Sequence, residues 1–177
     1  MEQTVNPWKA NLTNGLVLGM TGIIYMVLLY FLNMITNKPL GFAFLIIQIV
    51  LLYFLIKSYR DNQLHGNITY GQALGAGVIT CLYFAVIMAL FSYIFFAIID
   101  PGLINKIIAL SEEQMVKKGL NQELIDKGMQ MTRKMIVPPV LAIYMFFREM
   151  FFGVIISLVI AAFVRREGNP ITDQQSV

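Results

Sequence analysis

The chain has one cysteine and one histidine among its 177 residues, and charged side chains make up only 13% of it. Each scarcity removes a class of chemistry. Cys81 alone builds neither a disulfide framework nor a thiolate metal site within one chain. His65 lies in a polar segment four residues after Asp61, with no second histidine or cysteine cluster near it, so a solvated loop residue is expected there and no metal ligand. No H-E-x-x-H, G-x-S-x-G or G-x-x-x-x-G-K pattern occurs, and no close pair of carboxylates lies inside an apolar run. The expectation is therefore a non-enzyme with no cofactor. The N-terminus also lacks the features of a cleavable signal. Glu2 offsets Lys9, the apolar run that follows is too long, and no small-x-small site ends it, so the first helix is expected to remain as an anchor.

What fills the chain is apolar. Hydrophobic residues reach 58% and the mean hydropathy is +0.70, well beyond the range of a soluble domain of this size. Four long stretches carry no charge: 10–37, 39–56, 68–99, and a proline-led run 135–164 broken only by Arg148 and Glu149. A bilayer core of about 30 Å is crossed by roughly 20 helical residues. The sequence thus predicts an all-α integral membrane protein with four transmembrane helices at about 12–33, 40–56, 70–99 and 143–164. These form one four-span domain, 1–167, followed by a polar tail, 168–177, expected to be disordered. The third stretch exceeds the thickness of the core, so it is expected to tilt or to project into water. A net charge of +3 and a pI near 9.0 arise from basic residues flanking apolar spans. That pattern points to membrane lipid as a partner and not to nucleic acid.

Turn and cap chemistry divides the spans. Asn37-Lys38-Pro39 is a short turn where proline prevents one helix from running into the next. Thr69-Tyr70-Gly71-Gln72 has the spacing of a capping box opening span 3. Asp100-Pro101 marks a new start, Ser111 to Gln114 offers a second capping box, Gly119 a stop, and Asn121 a restart. Apolar residues at helical spacing, with Glu113–Lys117 and Glu123–Lys127 as i,i+4 pairs, predict an amphipathic helical hairpin at about 100–137 between helices 3 and 4.

Placing both termini in the cytoplasm sets Lys9, Lys57, Arg60, Arg165 and Arg166 inside, against Lys38 and the six basic residues of the hairpin outside. The raw count favours the reverse. Lys57 and Arg165-Arg166 directly abut span ends, however, whereas most hairpin cations stand farther off among five acids, and on that ground the termini are assigned to the cytoplasm.

Candidate functional residues fall into two groups. Gly15 and Gly19, and again Gly71 and Gly75, are G-x-x-x-G pairs that let helix backbones approach closely, either between spans 1 and 3 or between copies of the chain. Gln48, Thr80, Arg148, Glu149 and Ser157 are polar residues within apolar spans, where expensive side chains mark functional positions. Counted back from Val164, Arg148 is expected about one turn inside the opposite interface, near enough to snorkel out. Phe44 with Gln48 in span 2 and Phe152 with Ser157 in span 4 stand at similar depth, a faint sign of a duplicated two-helix unit. Trp8 and most of the tyrosines lie near span ends and read as interfacial belts.

Tyr59-Arg60-Asp61-Asn62, the run from Gly66 through Asn67-Ile68-Thr69-Tyr70-Gly71-Gln72 to Leu74, Asp100-Pro101, and Phe152-Gly153-Val154-Ile155-Ile156-Ser157-Leu158 leading to Arg165-Arg166 together resemble a bacterial membrane family, domain of unknown function 4199. The resemblance covers about 6–167. It implies a multi-pass protein of the bacterial cytoplasmic (inner) membrane and supplies no activity and no catalytic residues. Arg148-Glu149, where an apolar or small residue is expected, and Leu64-His65 in the loop before Gly66 depart from it. The leading functional expectation is a non-enzymatic membrane subunit or scaffold. It would associate with itself or with other membrane proteins through its glycine faces and the methionine-rich hairpin. The alternative is a small oligomeric transporter or channel in which Gln48, Thr80, Ser157 and Arg148 line a polar path. An intramembrane enzyme would need a cluster of reactive groups that the chain does not offer.

Overall fold

The computed structural model describes residues 6–167; Glu2 and the polar tail 168–177 lie outside the described residues. Among the described residues six α-helices follow one another: α1 (Pro7–Phe31), α2 (Lys38–Gln63), α3 (Tyr70–Ile94), α4 (Gly102–Lys117), α5 (Gln122–Met135) and α6 (Pro138–Val164). A π-helical turn, Phe95–Ile99, prolongs α3. Four helical stretches are long and apolar enough to cross a membrane: Pro7–Phe31, Pro39–Gln63, Tyr70–Ile99 and Pro138–Val164.

Local chemistry sets the helix ends. Asn6 accepts from the amides of Trp8 and Lys9, and Pro7 occupies the first turn, so α1 starts five residues before the expected 12. It stops where Asn33 takes a positive φ of 55°. α2 opens on the Asn37 side chain with Pro39 in its first turn, and runs on through 58–63, beyond the apolar span expected to end at 56. Charge at Lys57 marks an edge of the apolar run, but charged residues are good helix formers and do not end a helix. Thr69 and Gln72 form their box reciprocally: Gln72 N donates to Thr69 Oγ1 at 3.3 Å and Thr69 N to Gln72 Oε1 at 3.0 Å. The Asp100 carboxylate accepts from Leu103 N at 3.1 Å, and Asn121 accepts from Leu124 N at 2.9 Å. Ser111 departs from expectation. It sits inside α4 and its hydroxyl donates back to Ile107 O at 2.9 Å, so no second box forms there. Gly119 reaches a φ of 72° after α4, the left-handed geometry that lets the chain turn into α5.

The chain divides into two compact units, one running to Phe84 and resuming at Glu149, the other Ala85–Arg148. In the first, each helix buries a single stripe. α1 turns in Asn11, Gly15, Leu18, Gly22 and Met26, and α2 turns in Phe44, Gln48, Leu52, Ile56 and Tyr59. The steps of three and four residues are those of one helix face. α1 and α2 are joined at their turn by Tyr25, whose hydroxyl donates to Leu40 O at 2.6 Å and whose ring lies 5.2 Å from that of Phe44. Phe44 in turn stacks on Phe84 of α3 at 6.1 Å. α1 begins beside the middle of α3 and not beside its start. Asn11 meets Thr80 and the Tyr83 hydroxyl donates to Trp8 O, and Thr80 stands ten residues along α3 from Tyr70, roughly 15 Å at 1.5 Å per residue.

α3 and α6 approach most closely where each offers a glycine to the other. A β-carbon on Gly153 of α6 would fall 2.6 Å from Cys81 Cβ and 2.8 Å from its sulfur, and one on Gly77 of α3 would fall 2.5 Å from Ser157 Oγ. Gly15 of α1 likewise has no room for a β-carbon, because Tyr83 Cβ occupies the space. Around Gly71 and Gly75 a β-carbon would meet nothing within 4 Å. Gly19 is buried on the inner stripe of α1. The close glycine contact of α1 with α3 is thus made by Gly15 against Tyr83, further along α3 than Gly71 and Gly75.

At the end of the unit, Ile68 N donates to Arg166 O at 2.8 Å and Arg166 N to Ile68 O at 2.9 Å. The second unit pairs α4 with α5 over Ile108, Ile125 and Met129, with Ile104, Met115 and Ile136 packed against them. Both expected i,i+4 ion pairs form, Lys117–Glu113 at 2.6 Å and Lys127–Glu123 at 2.7 Å.

These contacts predict a sharp contrast between glycines. Gly153→Ala and Gly77→Ala should each lower stability by about 1–3 kcal/mol, the usual cost of overpacking a tight contact. Gly71→Ala and Gly75→Ala should be neutral or stabilising by up to about 1 kcal/mol through helix propensity. Thermal unfolding of the detergent-solubilised protein distinguishes the two pairs, and equal losses at all four positions would refute the packing described.

Candidate functional site

Five polar residues within the apolar helices of the first unit do not face outward. Asn11, Thr80 and Ser157 are 0% exposed, Gln48 1% and Glu149 2%. They come from four helices, Asn11 from α1, Gln48 from α2, Thr80 from α3, and Glu149 and Ser157 from α6. Glu149, Gly153 and Ser157 follow one another at four-residue steps and so share one face of α6. That face meets Cys81. Gly153 abuts its side chain, the Ser157 hydroxyl lies beside its thiol, and Glu149 is within electrostatic reach of it. Thr80, the next residue on α3, donates to Ala76 O at 2.8 Å and approaches Asn11 Oδ1 at 3.5 Å. Asn11 is held in turn: its amide donates to Pro7 O at 2.9 Å and its oxygen accepts from Asn14 Nδ2 at 3.0 Å. Gln48 is one turn along α2 from Phe44, whose ring partner Phe84 is one turn along α3 from Thr80, and this places Gln48 at the level of Thr80 and Cys81.

The arrangement is only partly satisfied within the protein. Gln48 Nε2 is buried with no hydrogen-bond partner, and the buried Ser157 Oγ has the Cys81 thiol, a weak hydrogen-bonding group, beside it. An unpaired buried group costs about 1–3 kcal/mol relative to a paired one, and water that could relieve it in a soluble protein is scarce in hydrocarbon. A buried hydroxyl without a partner, Ser92, belongs to the second unit.

The sequence-based candidates therefore separate. Gln48, Thr80, Glu149 and Ser157 are gathered in the interior of the first unit. Arg148 is half-buried and falls in the second; as the residue before Glu149 it points about 100° away round the helix. α6 begins at Pro138, so Arg148 stands ten residues into it, about 15 Å from the start of the helix. Asn11 and Cys81 were not among the sequence-based candidates for this centre. Their signal was present in part: Gly77-x-x-x-Cys81 and Gly153-x-x-x-Ser157 are small-x-x-x-small pairs, the same packing device as G-x-x-x-G with one glycine replaced by a small polar residue.

The second unit carries a different surface. Val86, Leu90 and Tyr93 of α3 and Ile143, Phe146 and Phe147 of α6 are among the residues lining an open groove of about 410 Å³ whose walls are apolar. It offers packing for hydrocarbon.

No curated protein and no solved structure matches the chain. One family model does, the family described as Protein of unknown function (DUF4199), and it matches residues 13–166. That interval contains nearly all of the four apolar helices and every residue of the buried polar centre except Asn11, and on that match the chain belongs to this family.

Proposed function

We propose that the protein is a non-enzymatic, multi-pass subunit of a bacterial cytoplasmic membrane, and that it associates with other membrane proteins through the α4–α5 hairpin. The observation that carries this reading is what the hairpin leaves uncovered. After Ile108, Ile125 and Met129 are buried between its helices, Val116, Leu120, Leu124, Met131 and Met135 remain exposed at its surface. Apolar side chains in that number on a segment between two spans favour a contact surface, and unbranched methionines adapt to irregular partners. Solubilisation in mild detergent followed by cross-linking and mass spectrometry should recover a partner membrane protein or a second copy joined through α4 or α5. Recovery of a strict monomer without partners would sink the reading.

An odd number of spans precedes the hairpin, so it lies on the side of the membrane opposite both termini. The proposed orientation has the termini in the cytoplasm. In a Cys81→Ala background, Lys118→Cys should react with a membrane-impermeant thiol reagent on intact spheroplasts, and Gln174→Cys only after the membrane is broken. The reverse pattern inverts the orientation.

A second reading, a small oligomeric transporter or channel, is favoured by one specific observation, the inward placement of Gln48, Thr80, Glu149 and Ser157. Polar side chains gathered at membrane depth are the raw material of a solute path. Proteoliposomes holding the oligomer should then show a flux of a monovalent ion or small polar solute that Ser157→Leu removes. An intact oligomer without such a flux rejects this second reading and leaves the first standing.

A further inference from the structure

The end of the first unit where α2 and α6 finish gathers most of that unit's positive charge. Lys57 and Arg60 stand at the end of α2, and Arg165 and Arg166 follow α6 directly. They come from points about a hundred residues apart in sequence, and main-chain geometry brings them together. Ile68 and Arg166 exchange both backbone hydrogen bonds, at 2.8 and 2.9 Å, which fixes the strand after α6 against the loop after α2. Arg60 adds a third tie, donating from Nη1 to Val164 O at 3.1 Å. Asp61 accepts from Arg60 Nε at 2.7 Å and is within electrostatic reach of Lys57 and Arg166 as well. Arg165 and Arg166 are exposed and Lys57 is partly exposed.

The acids at this end are Asp61 and Glu167, so four cations face two anions and a net positive charge remains. Directly along the helices from these cations, toward the apolar body, Phe54, Val159 and Phe163 are exposed, the last at 77%. A ligand matching both features carries a phosphate at one end and hydrocarbon at the other. Inorganic phosphate or a phosphorylated peptide uses only the first. A zwitterionic lipid brings a choline cation that the arginines repel.

We propose that Lys57, Arg165 and Arg166 bind the phosphate of an anionic phospholipid, with Arg60 and the Ile68–Arg166 bridge holding them in place and the acyl chains lying against Phe54, Val159 and Phe163. Clusters of basic residues at span ends attract anionic headgroups, each cation adding to the preference. Arginine suits the role because its planar guanidinium presents paired donors to phosphate oxygens. The proposal is independent of the partner and transport readings above.

The full-length protein is tested in mild detergent by native mass spectrometry with dioleoyl phosphatidylglycerol and dioleoyl phosphatidylcholine, which share their acyl chains. The expected result is retention of phosphatidylglycerol over phosphatidylcholine, with the preference falling on the order of tenfold in Arg165→Gln/Arg166→Gln. The double variant should fold, because the bridge uses the main chain of Arg166 and survives a change of side chain. Lys57→Gln should give a smaller loss. Arg133→Gln/Lys134→Gln, which removes a basic pair from α5, should leave the preference intact. The proposal is overturned if the Arg165→Gln/Arg166→Gln protein keeps its preference, if the α5 variant loses it equally, or if inorganic phosphate displaces phosphatidylglycerol at comparable concentration.

Discussion

Everything in the first unit depends on how closely α3 and α6 can approach. In water, two apolar helices are pressed together by the exclusion of solvent; in lipid that force is absent, because the alternative neighbour is as apolar as the partner helix. Contact area at short range must then hold the pair. Here the approach is reciprocal: Gly153 of α6 receives the Cys81 side chain of α3, and Gly77 of α3 receives Ser157 of α6. Each glycine is paired four residues along its own helix with the small residue that fills the other's gap, so the two helices interlock with one register. A shift by one residue in one direction would set Gly153 against Leu82 and Gly77 against Leu158. The register fixes the depth of Glu149 and of Ser157 opposite α3, and hence the composition of the interior.

That interior has an energetic cost that the packing must offset. Gln48 Nε2 is held away from partners and Ser157 Oγ has the weakly hydrogen-bonding Cys81 thiol beside it, and Glu149 is 2% exposed. An apolar residue of similar volume in place of Gln48 would remove the desolvation cost of its amide. Buried polar groups do fix register and orientation in some bundles. In this chain the glycine interlock already sets the register of α3 against α6, so that explanation is weakest for Ser157 and Glu149. It is stronger for Asn11. Its amide and oxygen are engaged with Pro7, Asn14 and Thr80, and with Gly15 against Tyr83 it fixes where along α3 the first helix begins.

The helices were legible in the sequence because hydrocarbon imposes length and composition together, and the caps at Thr69-Gln72, Asp100 and Asn121 were legible because these residues act on amides three residues away. Such signals are local. Helix ends were not legible where charge bounds an apolar run, as at Lys57, since charge locates the edge of that run and not the end of a hydrogen-bonded ladder. The close contacts were less legible for the opposite reason. G-x-x-x-G singles out Gly71 and Gly75, which have open space around them, because the motif records that a helix can be approached and says nothing of whether a neighbour is there. The π-helical turn at Phe95–Ile99 left no mark in the pattern either; Phe95 and Phe96 are consecutive and both buried, which a regular 3.6-residue turn serves poorly. Of the polar candidates, Gln48, Thr80, Glu149 and Ser157 were named from chemical type alone. Their common direction needed the fold, since a stripe in a wholly apolar helix has no polar face to contrast with it.

The same reasoning changes the part played by Arg60. Read along the chain it is one more cation flanking a span. In the fold it is a C-cap supplied by another helix. The last carbonyls of a helix have no amide ahead of them, and near hydrocarbon an unsatisfied carbonyl is expensive. α6 ends at Val164, and two of the carbonyls nearby are met from outside: Val164 O by the Arg60 guanidinium and Arg166 O by the Ile68 amide. A lysine at position 60 would bring the charge but not the planar fork that reaches Asp61 and Val164 together. Because the terminus of α6 is satisfied by Arg60 and by backbone, the side chains of Arg165 and Arg166 are not needed to satisfy it. Their charge is therefore available at the surface, where a side chain committed to capping could not present it.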